Sequence, residues 1–209
     1  FVIACGGTGG HLAPGIALAQ NLSASGYHCF LFISKKEVDS RLIEKYPELD
    51  YTPVPGVPFS LNPIRLLSFA YTLAGNFFYS FEWLRKERPD LVVAFGGFIS
   101  VGVVLAAFIL RIPIVLHEAN RKPGRTVCMM RKLARRIYLP DGIRLRGVNA
   151  SRVRYYGYPV RREVYRHETK EARKAIRFTQ KGKLLVILGG SQGASVFNQW
   201  VVEHFEKLA

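Results

Sequence analysis

Cysteine is scarce in this 209-residue sequence, and the few cysteines follow no pattern. Cys5, Cys29 and Cys128 are odd in number and free of any Cys-x-x-Cys pair. That excludes a disulfide framework or a cysteine-rich zinc site as the basis of the fold, and it fits a reducing compartment. Long apolar runs are also missing, because the longest, Val101 to Leu110, ends at Arg111 and is too short to span a bilayer. The 49% hydrophobic content is that of a globular protein and excludes a disordered one.

Acidic residues are also few: the sequence has 15 Asp and Glu residues but 30 Lys and Arg residues, which gives a net charge of +15. The imbalance is confined to residues 121–181, which hold 19 basic residues and four acidic ones, while elsewhere the charges cancel. Such a window favours polyanions, namely nucleic acid, anionic lipid head groups or a pyrophosphate substrate. The alternative is a solvated basic surface with counter-ions.

Apolar strands alternate with helical segments along the chain, which predicts a Rossmann-like α/β domain with a parallel sheet. A Pro-rich loop is expected at Pro53 to Pro58, and a charged linker at 162–182 places a domain boundary near 161. A second βα unit begins at Lys183. Because the chain opens inside a strand and closes inside a helix, we expect it to be part of a longer protein. The predicted strands are 1–5, 28–33, 91–95 and 112–116, and the predicted helices are 13–25, 37–46, 63–88 and 99–110.

Two glycine loops, each between an apolar strand and a helix, are the most informative strings. The first glycine loop is Gly-Gly-Thr-Gly-Gly-His at 6–11, and the C-terminal glycine loop is Gly-Gly-Ser-Gln-Gly-Ala at 189–194. A loop of this kind brings backbone N–H groups and a positive helix end close to a phosphate. The first string is not the dinucleotide fingerprint, since Leu12 stands where the third glycine would be, and a generic NAD site is therefore disfavoured.

Three further strings follow predicted strands or end the first domain. Gly96-Gly97-Phe98-Ile99-Ser100 is either a second phosphate loop or a plain strand-to-helix turn, and His117-Glu118-Ala119-Asn120 either faces a cleft or caps a helix. Arg161, after Tyr158 and Pro159, could clamp a pyrophosphate at a domain crossing. Ligands of open parallel sheets bind at the carboxyl ends of the strands, where the first two of these strings are expected to lie.

Taken together and in this order, the strings resemble the MurG family of glycosyltransferases, family 28 with the GT-B fold, over nearly the whole chain. The resemblance implies two Rossmann-like domains facing across a cleft: residues 1–161 as the acceptor-binding domain and 162–209 as the linker and first βα unit of a donor-binding domain. It departs from the family pattern at Ala119 (usually Gln), Val101-Gly102 (usually Gly-Pro) and Tyr158 (commonly Asn).

The resemblance also implies roles for individual residues. His11 and Glu118 are the two candidates for catalysis. Thr8, Gly9 and Gly10 would lie against the donor and the acceptor diphosphate, and Gly96, Gly97 and Ser100 would help hold the acceptor pyrophosphate. Asn120 would contact the donor sugar. Arg161, Ser191, Gln192 and Gly193 would bind the UDP portion.

The reaction implied by the family is inverting transfer of N-acetylglucosamine from UDP-N-acetylglucosamine to the 4-hydroxyl of undecaprenyl-pyrophosphoryl-muramyl-pentapeptide in peptidoglycan synthesis. We expect no cofactor, and since no Asp-x-Asp string occurs, no visible motif requires a divalent metal, although a metal can enter with the substrate diphosphate. The implied location is the cytoplasmic face of the bacterial inner membrane. Apolar residues at 59–67 and a basic amphipathic segment at 125–137 are the candidate contacts with anionic lipids, the latter as an interfacial helix or an ordinary core helix.

Two other functions are compatible with parts of this pattern. One is a related GT-B transferase with another lipid acceptor, such as diacylglycerol. The other is a non-catalytic module that binds polyanions through the basic window. Nucleic acid is not expected as a partner, because no aromatic platform is interleaved with the basic residues and no RNA-binding motif occurs.

Overall fold

The computed structural model describes residues 1–57, 62–179, 181–189 and 194–208. The chain divides into two compact units, Phe1–Val164 and Tyr165–Ala209. The first unit extends three residues beyond the boundary expected from sequence. The reason is that Arg162 and Glu163 are still tied to it: the backbone N–H of Arg162 donates to Gln20 Oε1, and Glu163 accepts a hydrogen bond from Tyr46 Oη.

The first unit is built on a seven-stranded sheet in which every neighbouring pair is parallel. The strand order is β3-β2-β1-β4-β5-β6-β7, so the direction of winding reverses between β1 and β4. At such a reversal the loops after the two central strands diverge and leave a crevice at the carboxyl edge. The strands are β1 Val2–Ala4, β2 Phe30–Ser34, β3 Asp50–Val54, β4 Val92–Ala94, β5 Ile114–His117, β6 Arg136–Leu139 and β7 Val153–Tyr155.

Helices cover the sheet and connect its strands. They are α1 Gly9–Ala24, α2 Glu37–Ile43, α3 Pro63–Glu87, α4 Ile99–Ile109 and α5 Arg125–Met130 in the first unit, and α6 Thr169–Ala175 and α7 Ser195–Leu208 in the second. A 3-10 turn, Ala150–Arg152, precedes β7. Among the described helices, none combines the length and the apolar content needed to cross a membrane.

Alternate residues of β1, β2, β4 and β5 enter two separate cores. On one face, Val2 and Ala4 of β1 pack with α3, α4 and α5; on the other, Ile3 packs with α1 and with Ile43 of α2. Both sets are fully buried, which explains why these strands are apolar throughout instead of alternating. The burial on both faces leaves the carboxyl edge as the place where polar groups of this unit can meet a ligand.

Two predictions of secondary structure made from the sequence were wrong, and packing explains both. The Pro-rich loop begins later than expected, because Pro53 lies inside β3, where it pairs with Ile33. β3 is the last strand of the sheet, and proline is tolerated in an edge strand since one side of it has no hydrogen-bond partner to lose. A strand was also expected at 184–188, but residues 183–189 have no regular secondary structure. A parallel strand needs a neighbour, and the described part of the second unit contains no other strand.

The interfacial helix at 125–137 is also contradicted. Helix α5 ends at Met130, and the chain then turns into β6 at Arg136. Val127, Met130, Ala134 and Ile137 are buried among the residues of the α3–α4 core. The apolar positions at helical spacing in this segment therefore belong to the core of the first unit, while Met129 is 67% exposed beside the basic side chains.

Candidate active site

The first glycine loop connects β1 to α1 at the centre of the carboxyl edge. A Cβ on Gly6 would lie 2.6 Å from the backbone nitrogen of Ser34, and Gly7 has φ +96°, so both positions require glycine. The backbone N–H of Gly7 donates to Asp39 Oδ2 at 2.6 Å. Thr8 then takes an extended conformation and caps α1. The backbone N–H groups of His11 and Leu12 donate to the carbonyl oxygen of Thr8, which leaves those of Gly9 and Gly10, at the positive end of the helix, suited to an anion.

His11 lies between this loop and the one that contains Gly96 and Gly97 after β4, which is called the second glycine loop from here on. Its Nδ1 is 3.0 Å from Thr8 Oγ1, and its ring lies against Gly96 and Gly97. Both glycines have positive φ, +88° and +76°, and a Cβ on Gly97 would lie 2.6 Å from the carbonyl oxygen of Gly6. The two glycine loops thus pack directly together and hold the imidazole between them. Thr8, Gly9, Gly10, His11, Gly96 and Gly97 are brought together as the sequence analysis expected.

The surroundings of His11 favour a neutral imidazole. Burial lowers the pKa of His11 below its ordinary value of 6.5, since the imidazolium loses hydration. The negative charges of Glu118 and Asp39 oppose this effect, and the positive charge of Lys36 adds to it. A neutral imidazole at neutral pH can accept a proton, which is what a general base requires.

Glu118 lies at the end of β5 and is almost fully buried, with 3% exposure. Its Oε1 accepts hydrogen bonds from the backbone N–H and the side-chain Nδ2 of Asn120, both at 2.8 Å, and its Oε2 accepts one from the backbone N–H of Gly124 at 2.6 Å. Both carboxylate oxygens are therefore engaged in holding the loop at 118–124. Through these hydrogen bonds Glu118 anchors the loop and fixes the orientation of the exposed Asn120. The imidazole of His11, by contrast, faces the glycine loops.

Ser100, in the first turn of α4, stabilises the loop that contains Gly96 and Gly97. It is 1% exposed, and its Oγ donates to the carbonyl of Gly96 at 2.6 Å. It thus stabilises the positive-φ turn at Gly96 and Gly97 and does not itself point to the crevice.

Arg161 is not brought to the glycine loops. Its guanidinium donates to Tyr46 Oη at 2.8 Å, just beyond the end of α2, and Tyr46 in turn donates to Glu163. Ser191, Gln192 and Gly193, in the C-terminal glycine loop at 189–194, lie outside the described residues.

Four residues at this edge had been given no role from the sequence: Lys36 and Asp39 were not singled out, and His117 and Tyr158 were named only as members of strings. Tyr158 Oη donates to the carbonyl of Gly10 at 3.0 Å, which ties the chain after β7 to the start of α1. His117 is 8% exposed, its Nδ1 has no hydrogen-bond partner, and burial lowers its pKa. The signal for Lys36 and Asp39 was available, since both follow β2 at the carboxyl edge just as Glu118 follows β5.

A cavity of about 190 Å³ opens beside the site, lined by His117, Glu118, Asp141 and Tyr158 among others. A larger one, about 580 Å³, lies at the opposite edge around Phe1, Trp83 and Asp90 and is lined by none of the predicted site residues. Within the described parts of the chain, no group of three His, Cys, Asp or Glu residues could hold a metal ion.

The sequence of this chain matches the model of a known protein family. The model of the glycosyltransferase family 28 N-terminal domain matches residues 1–139, two thirds of the chain. The chain belongs to glycosyltransferase family 28. Its predicted α/β fold, with a Rossmann-like N-terminal domain of the GT-B type, is confirmed, as is its resemblance to the MurG family.

Curated relatives of this family 28 chain carry one and the same description: UDP-N-acetylglucosamine--N-acetylmuramyl-(pentapeptide) pyrophosphoryl-undecaprenol N-acetylglucosamine transferase. The protein from Opitutus terrae is 51% identical over 209 residues, which are 100% of this chain and 55% of that protein. The protein from Protochlamydia amoebophila is 36% identical over 95% of this chain and 54% of its own length. The chain therefore spans about half the length of the curated relatives it matches.

Solved structures share the fold of this family 28 chain. MurG of Acinetobacter baumannii superposes with a TM-score of 0.69 at 23% identity, covering 95% of this chain and 54% of that one. The UDP-GlcNAc 2-epimerase of Methanocaldococcus jannaschii, solved with UDP-GlcNAc and UDP, reaches 0.60 at 15% identity over 75% of this chain and 46% of that one. At these identities the likeness concerns the fold alone.

Proposed function

We propose that this chain is the acceptor-binding half of an inverting glycosyltransferase. The reaction is transfer of N-acetylglucosamine from UDP-N-acetylglucosamine to the 4-hydroxyl of undecaprenyl-pyrophosphoryl-muramyl-pentapeptide, with release of UDP. The observation that carries the proposal is His11, a neutral imidazole held by Thr8 between two close-packed glycine loops. The names of the curated relatives support the choice of donor and acceptor.

The chemistry assigned to His11 is general-base catalysis. In the tautomer whose Nδ1–H donates to Thr8 Oγ1, Nε2 carries the lone pair that accepts the proton of the attacking hydroxyl. The hydroxyl oxygen then bonds to the anomeric carbon while the bond to the UDP oxygen breaks on the opposite face, which inverts the configuration. The leaving diphosphate takes the negative charge, and His11 later returns its proton to solvent.

Binding of the acceptor diphosphate is assigned to the two loops. Thr8, Gly9 and Gly10 present the positive end of α1, and Gly96 and Gly97 allow the backbone to approach closely, with Ser100 holding that turn. Glu118 acts through Asn120, which it orients toward the donor sugar. Arg161, Ser191, Gln192 and Gly193 remain predicted ligands of the UDP portion. The mechanism uses no metal and no cofactor, since helix ends and cations meet the leaving charge.

We also place the protein at the cytoplasmic face of the bacterial inner membrane, as a peripheral protein in contact with anionic lipids. The first half of α3 supports this, because Ile64, Leu67 and Tyr71 recur at helical spacing on one face and are 79%, 74% and 85% exposed. Arg65 lies among them. Two residues of the predicted apolar segment, Phe59 and Leu61, lie outside the described residues.

The test is a transfer assay with UDP-N-acetylglucosamine and a lipid-linked muramyl-pentapeptide analogue, using the chain completed to the length of its relatives. Loss of a general base typically costs about 10²- to 10⁴-fold in rate, so His11→Ala should reduce turnover by that factor. His28→Ala is the matched control, since His28 lies at the opposite edge and is exposed. UDP release with diacylglycerol but not with the muramyl acceptor would discard the acceptor assignment, and turnover by His11→Ala equal to that of the unaltered protein would discard the base.

A further inference from the structure

Lys36 lies against the first glycine loop although it is 29 residues away in sequence. It immediately precedes α2, and its Nζ donates to the carbonyl oxygen of Gly7 at 2.8 Å. The ammonium also lies 5.2 Å from the centroid of the Phe98 ring, in the second glycine loop. Both contacts hold the charge at the junction of the two loops, next to the positive end of α1.

A diphosphate bound at these loops would meet two negative charges of the protein. Asp39 is fully buried and accepts the N–H of Gly7, so this N–H is not available to a ligand. Its other oxygen, Oδ1, is buried and has no hydrogen-bond partner. Glu118 is the second carboxylate within electrostatic reach of His11. Two carboxylates beside a site for a multiply charged anion are repulsive unless a cation offsets them.

Lys36 can supply that cation and direct hydrogen bonds together. An ammonium has three N–H donors, of which the carbonyl of Gly7 takes one, so two are left for phosphate oxygens. Its carbon stem is flexible, and the residue is exposed, so the head can follow the position of the ligand.

We propose that Lys36 is a binding residue for the diphosphate group that docks on the first glycine loop. This rests on the proposed function for the identity of the ligand and names a residue that the sequence pattern did not. Lys36 holds the bridging and terminal phosphate oxygens against the start of α1 and neutralises the repulsion from Asp39.

The charge of Lys36 is also felt by His11. The charged groups that face His11 are Glu118 and Asp39, which raise its pKa, and Lys36, which lowers it, while Thr8 contributes a hydroxyl. Removing the ammonium of Lys36 should therefore raise the pKa of His11, and this rise reports that the charge of Lys36 lies close to His11 in solution.

The experiment measures binding of geranyl diphosphate and, separately, of UDP to the 209-residue chain by calorimetry. Lys36→Met keeps the length of the stem and removes the charge; Lys36→Arg keeps the charge; Lys35→Met removes an equal charge from the neighbouring exposed residue. A hydrogen bond to a charged group is worth enough to predict about a tenfold to hundredfold weaker binding for Lys36→Met. Lys36→Arg should stay within about threefold of the unaltered chain because it keeps the charge, and so should Lys35→Met because an exposed charge by itself contributes little.

Loss of geranyl diphosphate binding in Lys36→Met would assign Lys36 to the acceptor diphosphate, and loss of UDP binding alone would assign it to that of the nucleotide. Binding of both ligands by Lys36→Met as tightly as by Lys35→Met would overturn the proposal, and so would no measurable binding by the unaltered chain. The second readout is an NMR titration of His11, whose pKa should rise in Lys36→Met only. Neither measurement needs glycosyl transfer, so a failed transfer assay and a failed Lys36 test are separate results.

Discussion

At the scale of single residues, the proposed role of His11 as the base predicts how activity depends on pH. Burial lowers its pKa below 6.5, so the base form is lost only as the pH falls through that lowered value. We expect kcat/KM of the completed protein to be independent of His11 protonation above pH 6.5 and to decline along an acid limb below it. The pH profile of the unaltered protein and of His28→Ala should show the same limb. A limb centred well above pH 6.5 would contradict the assignment.

Glu118 has a different role that its substitution can reveal. In Glu118→Gln, one carboxylate oxygen becomes an NH₂ group that faces the N–H of either Asn120 or Gly124, so an anchor of the loop is lost. We expect a loss of about 1–3 kcal/mol in the free energy of unfolding, measured by denaturant titration of the chain. Asp141→Asn, an exposed carboxylate beside the same cavity, is the control and should change little.

Glu118→Gln also distinguishes a structural role of Glu118 from a role as the catalytic base. Since the charge of Glu118 raises the pKa of His11, Glu118→Gln should move the acid limb of the residual activity to lower pH. Disappearance of that limb in Glu118→Gln would instead make Glu118 the base.

At the scale of elements, the approach of α1 to β1 depends on Gly15. A Cβ at this position would lie 2.3 Å from the sulfur of Cys5 and 2.5 Å from its Cβ, both of which are buried in the sheet core. Burial also raises the pKa of the Cys5 thiol, so this sulfur is a neutral packing atom. The start of α1, with its glycine loop and His11, is therefore positioned by a contact one turn further along the helix.

Two glycine substitutions test this packing. Gly15→Ala should destabilise the chain by about 1–3 kcal/mol, because overpacking outweighs the better helix propensity of alanine. Gly75→Ala is the matched control within α3, where an added Cβ meets nothing within 4 Å, and it should stabilise the chain by about 0.5–1 kcal/mol. Both are measured by chemical denaturation. Equal stabilisation by the two substitutions would show that α1 can move away from β1.

At the scale of the whole molecule, the proposed membrane contact depends on two features, the net charge of +15 and the exposed apolar face of α3. We expect the chain to co-sediment with anionic vesicles at low salt and to be released as salt rises, because screening removes the attraction of the basic side chains. Ile64→Ser combined with Leu67→Ser should weaken binding, since these exposed side chains supply the apolar contact.

Val38→Ser, which removes an exposed apolar side chain on α2, is the control for this measurement. Equal binding to neutral and anionic vesicles would contradict the electrostatic part, and equal binding by the α3 double variant would contradict the apolar part.

Local strings of residues were sufficient to predict the positions of α1, α3, α4 and their strands, because apolar runs, glycines and prolines restrict the backbone within a few residues. They were also sufficient to predict that His11 and the glycine loops after β1 and β4 lie at one edge of the sheet, since the carboxyl ends of parallel strands share that edge. The backbone of the crevice could therefore be foreseen from sequence.

The roles of the side chains depended on contacts between distant parts of the chain. Glu118 is an anchor because Gly124 and Asn120 occupy its oxygens, and Arg161 is held by Tyr46, 115 residues earlier. The apolar positions of 125–137 are buried because β6 pairs with β5 and β7, which no local periodicity reveals. Hydrogen-bond partners and burial are properties of the packed chain, so the position of Lys36 after β2 places it at the carboxyl edge, but only the tertiary structure shows its contact with Gly7.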